Sequence, residues 1–89
     1  MTLHVVVIEP SAAVNIVAVQ EALNQIVDNW YRIAPGAWVV VSLGTSQDLY
    51  ARLRQQMPPN GNIFVSAMDP TDRQGWMPQK FWDWLRQHE

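Results

Sequence analysis

The sequence has no cysteine. That excludes a disulfide framework, and with it thiolate-held zinc or iron–sulfur chemistry. Charge is scarce: 16% of residues carry it, and eight acidic against six basic side chains leave a net charge of −2. Neutralising a run of phosphates takes a stripe of Lys and Arg, and none runs along this chain. Long apolar stretches are missing too. Val5-Val6-Val7-Ile8 falls far short of the roughly 20 residues of a membrane span, and no basic segment precedes it. These absences lead to the expectation of a soluble, cytoplasmic protein with no membrane partner and little support for nucleic-acid binding. Ligand spacing is also absent, since His4 and His88 stand near opposite ends of the chain. Ser11 and Ser42 have no adjacent base in sequence, and the glycines form no phosphate-cradling pattern.

What the chain does have is apolar and aromatic. Hydrophobic residues make up 48% of it, and five tryptophans are spread over 89 positions. A chain of this length buries roughly 60–65% of its unfolded surface and supports one core, so residues 1–89 are read as one domain.

The elements follow from periodicity. Leu3 to Ile8 is a nearly continuous β-branched run, the pattern of a central strand. After Pro10-Ser11, Ile16, Val19, Leu23, Ile26 and Val27 recur at helical spacing opposite Asn15, Gln20, Glu21, Asn24 and Gln25. Trp30–Ile33 and Ala37–Val41 form a hairpin about Pro35-Gly36, a pair suited to a type II turn or a somewhat longer loop. Thr45 supplies an N-cap and Asp48 a first-turn acid for a helix carrying Leu49, Leu53 and Met57, which Pro58-Pro59 ends. Asn62 to Met68 reads as a strand with apolar groups on both sides. Residues 69–77 form a loop, in which Asp69 and Asp72 suit turn chemistry better than cation binding. Pro78 opens a C-terminal helix over 78–88 with Phe81, Trp84 and Leu85 on one face and Trp82 towards another. The order β-α-β-β-α-β plus a short helix predicts an α+β fold of the ferredoxin-like type, an antiparallel sheet with two helices on one face.

Such a sheet leaves one face open, and the tryptophans divide between core and surface in a way the sequence leaves undecided. Trp30, Trp38, Trp76, Trp82 and Trp84 are therefore the candidate interaction residues. Base stacking would want aromatics interleaved with Lys and Arg, yet Arg32 is the only basic residue of the hairpin. Ordering the last helix costs roughly 15 kcal/mol for about ten residues. It stays docked only if Phe81, Trp82, Trp84 and Leu85 nearly all find a surface, on this chain's own sheet or a partner's. A homodimer or a protein partner is the expectation.

The stretch from Trp30 to Leu85 carries a Trp-rich second strand, then Pro-x-x-Trp-Val-Val-Val-Ser, a helix with Leu-x-x-x-Met, and a terminal Phe-Trp-Asp-Trp-Leu. It resembles the small SinR-like proteins, a bacterial and phage group similar to the second CRISPR-associated adaptation protein. The resemblance implies a ferredoxin-like dimer and a phage, mobile-element or defence context. It also implies, as an alternative activity, a metal-dependent nuclease. That family places an Asp at the end of its first strand, where this chain has Glu9. A Mg²⁺ site would then rest on Glu9, with hard oxygen ligands in octahedral geometry. The extra methylene and the missing basic residues after it set this chain apart.

Overall fold

A computed structural model describes residues 2–9, 15–57 and 61–89. Its elements are β1 (Thr2–Ile8), α1 (Ile16–Ile26), β2 (Asn29–Ala34), β3 (Ala37–Ser42), α2 (Ser46–Gln56), β4 (Ile63–Met68) and α3 (Gln79–Gln87). The four strands form one antiparallel sheet in the order β2-β3-β1-β4. Among the described residues no helix is long and apolar enough to cross a membrane.

β1 is central because both of its faces are apolar. Val6 and Ile8 point to one side, where Val19 and Leu23 of α1, Leu49 and Leu53 of α2, and Trp38 and Val40 of β3 complete a core. Leu3 points to the other, with Val39, Val41, Phe81 and Leu85. Strand alternation thus feeds two cores from one sheet. α1 and α2 cover the first face, and α3 lies on the second. The last helix docks on the chain's own sheet, against Tyr31 and Ile33 of β2 and the buried valines of β3.

Helix boundaries follow the caps. The side chain of Asn15 accepts from the Val17 N–H at 2.9 Å, so α1 begins at Ile16. Asn15 is a cap rather than a member of the polar face, and the earlier start expected after Pro10-Ser11 falls on residues 10–14, outside those described. Val27 closes the helix as its C-cap while still packing on the first core. α2 opens with a reciprocal capping box: the Asp48 N–H donates to Thr45 Oγ1 at 3.2 Å, and the Thr45 N–H to Asp48 Oδ2 at 3.1 Å. Gly44 leads into it at φ +96°, a conformation that favours glycine, and a Cβ there would also stand 3.0 Å from Asp48 Oδ2. Met57 is the C-cap rather than the last buried step of the helix, consistent with Pro58 disfavouring helical geometry before it. α3 starts one residue after Pro78, its N-cap, and β4 starts at Ile63 rather than Asn62.

The hairpin turn corrects one expectation. Pro35-Gly36 is a two-residue connection, with Ala34 paired to Ala37, but among the described glycines only Gly44 has positive φ. A type II turn is therefore excluded. An unprimed two-residue turn fits the twist of the flanking strands poorly, and beside it the ladder carries a register shift between Arg32 and Ala34. Arg32 holds the bend by donating to the carbonyls of Ala34 at 3.2 Å and Pro35 at 3.0 Å.

Candidate functional site

The five tryptophans separate by what the strands and helices do with them. Trp38 alternates with Val39 and so faces α1 and α2, where it is 0% exposed. It belongs to the core and presents no interaction surface. Trp30 is half-buried on the same side, its indole N–H donating to Asn24 Oδ1 at 2.8 Å. Trp82 and Trp84 flank the second core on α3. Trp82 donates to the Met77 carbonyl at 3.1 Å, and Trp84 stacks on His88 with ring centroids 4.6 Å apart. Ring contacts of Tyr31 on β2 with Phe81 at 5.3 Å and with Trp84 at 5.7 Å knit that helix to the sheet, while Phe81 and Trp82 meet edge to face within it at 5.2 Å. Trp76, on the loop before α3, is 99% exposed.

α3 covers only part of its face. It lies over β2, β3 and the start of β1, and the far corner stays open. There Val7 of β1 and Phe64 of β4 are paired across the strands and are 40% and 63% exposed. Between this corner and α3 runs a groove of about 370 Å³ whose lining includes Val5, Met68, Arg73, Trp76, Met77 and Trp82. Arg73 closes one side, ion-paired with Glu89 and lying over the Trp82 ring. Trp76 thus stands at the rim of an apolar trough that continues onto bare sheet. The sequence pointed to Trp76 but not to Val7 and Phe64. The signal was there in parity: Phe64, Ser66 and Met68 share the face of Leu3, Val5 and Val7, and one nine-residue helix cannot span four strands.

Glu9 sits at the end of β1, beside a smaller cavity of about 250 Å³ that also touches Val7, Arg54, Asn62 and Phe64. Its carboxylate accepts from the Asn62 amide, and its backbone N–H donates to the Asn62 carbonyl at 3.1 Å. Among the described residues no three His, Asp or Glu side chains gather as a metal-binding group. Asp69 accepts from the N–H of Thr71 at 2.9 Å and from its hydroxyl at 2.7 Å, the expected Asx-turn. These bonds hold its pKa below the usual carboxylate range.

His4 is 1% exposed on the helix-covered face, and burial lowers its pKa while a hydrogen bond to the Thr2 backbone offsets part of that. Its Nδ1, Ser42 Oγ and Trp38 Nε1 are buried without hydrogen-bond partners. His4 and Ser42 therefore do not bond one another, and no serine–histidine nucleophile is assembled.

No family model matches the chain, and no curated protein or solved structure matches it.

Proposed function

We propose that this chain is a non-catalytic protein-interaction module that associates, with a second copy or another protein, through the open corner of its second sheet face. The observation that carries the reading is Trp76, a large apolar ring almost wholly in solvent on the lining of a groove, with a second exposed apolar pair, Val7 and Phe64, on the same sheet face as that groove. Burying one such ring removes 150–250 Å² from water, worth roughly 4–6 kcal/mol gross at about 25 cal/mol per Å². Exposed apolar side chains gathered on one face of a small domain mark a contact site.

On this reading the strand order β4-β1-β3-β2 is that of a ferredoxin-like fold, with α3 as an added cover. The kinship with SinR-like proteins suggested by Trp30 to Leu85 stays compatible with it. The reading makes no use of Glu9 or of Mg²⁺.

Light scattering on the purified chain, beside Trp76→Ser, is the test. Mass is expected to rise with concentration, and less so in the variant. A second arm incubates the protein and Glu9→Ala with Mg²⁺ or Mn²⁺ and mixed nucleic acids. Cleavage by the parent that disappears in Glu9→Ala would overturn the non-catalytic assignment in favour of the nuclease.

A further inference from the structure

The two edges of the sheet are built differently. β2, Asn29–Ala34, carries Arg32 and a register shift, and its start is engaged through Asn29, hydrogen-bonded to Trp84 of α3 at 3.4 Å and to His88 just after it at 3.1 Å. Charge and bulges are how edge strands are blunted. β4, Ile-Phe-Val-Ser-Ala-Met, has no charge, proline, glycine or register shift. None of its six residues is buried, whereas five of six in β3 are. Among the described residues, no backbone hydrogen bond is made from the outer edge of β4. Apart from the Ala67 carbonyl, which accepts from Ser66 Oγ at 3.3 Å, the outward N–H and C=O groups of this uncharged strand have no partner among the described residues, and such an edge is a template for another strand.

We propose that this strand is a second copy of β4, paired antiparallel across a two-fold axis to give a continuous eight-stranded sheet. The inference deepens the interaction reading above and rests on it. Three features select a second copy. First, cross-strand partners in an antiparallel pair share a face, so position numbers must sum to an even value for the apolar corner to continue onto the partner. Centring the axis on Ser66 satisfies this. It sets Phe64 against the partner's Met68 and Val65 against the partner's Ala67, with the small Ser66 side chains meeting at the axis. Second, the strand meets its own image without like-charge repulsion. Third, exposed apolar side chains meet each other: the Phe64 ring, 63% exposed, is set beside the partner's Met68, which lines the groove, and the two-fold axis makes this contact twice. In this register Phe64 comes to lie beside the groove of the other copy, and an isologous patch of this kind closes at two.

The experiment measures mass by sedimentation equilibrium across the micromolar range for the parent, Phe64→Lys, Ala67→Lys and Trp76→Ser, with amide hydrogen exchange on β4. Ala67 is exposed and on the opposite face from the groove, so Ala67→Lys loads the edge and leaves the groove intact. The expected result is a dimer in the parent, at least tenfold weaker in both lysine variants, with outer β4 amides protected only at high concentration. A parent dimer that survives Ala67→Lys but is lost in Trp76→Ser overturns the edge-paired arrangement and leaves the interaction reading standing. A strictly monomeric parent overturns the edge pairing and removes self-association from that reading.

Discussion

Trp38 and Trp76 are the same side chain in opposite surroundings, and their replacement separates packing from contact. Trp38→Ala opens a cavity between the sheet and both long helices, and a loss of about 3–5 kcal/mol is expected. Trp76→Ala touches nothing in the chain, and its stability should stay within about 0.5 kcal/mol of the parent. Urea unfolding followed by circular dichroism checks both. His4 gives a pH signature. Its folded pKa is depressed, so the unfolded chain binds the proton first as pH falls, and the stability due to the neutral imidazole is complete above the ordinary value near 6.5 and lost on acidification below it. The melting temperature is expected to decline from pH 6.5 downward, before the carboxylates titrate. A His4→Gln variant should flatten that segment. A decline of equal slope in the variant would move the effect to another group.

The helices owe their ends to single side chains and their stability to what they cover. In α2 the Thr45–Asp48 box satisfies two backbone donors, and Thr45→Ala should cost about 0.5–2 kcal/mol. The same bonds lower the Asp48 pKa, so their contribution is present above the ordinary carboxylate range and lost as pH drops through the depressed folded value. α3 has no side-chain hydrogen bond at its N-cap, and it is held by Phe81 and Leu85 alone among its buried residues. Leu85→Ala is expected to cost about 2–5 kcal/mol and to free the helix from β2, read as lost amide protection over 79–87. Protection retained there with the same stability loss would mean that Trp82 and Trp84 hold the helix by themselves.

Across the whole molecule, one sheet serves two unequal covers. α1 and α2 close their face, while α3 leaves the β1–β4 corner bare and the β4 edge unpaired. That imbalance is what the proposed contact surface rests on. Replacing Phe64 with Ser should leave the melting temperature nearly unchanged, because the ring is mostly in water already, yet reduce the concentration-dependent mass seen by light scattering. An unchanged mass would shift the contact away from the corner.

Local pattern alone determined the element order, the Thr45 cap, the break at Pro58 and the two-sided character of β1 and β4, because each depends on near neighbours in the chain. Tertiary structure decided the turn at Pro35-Gly36, where Gly36 does not take the positive φ that a type II turn requires. Above all it decided the fates of the tryptophans. Which face Trp38 takes depends on the register fixed by Val6 across the sheet. How much of the second face stays open depends on where α3 comes to rest, and both are set by contacts between residues far apart in sequence.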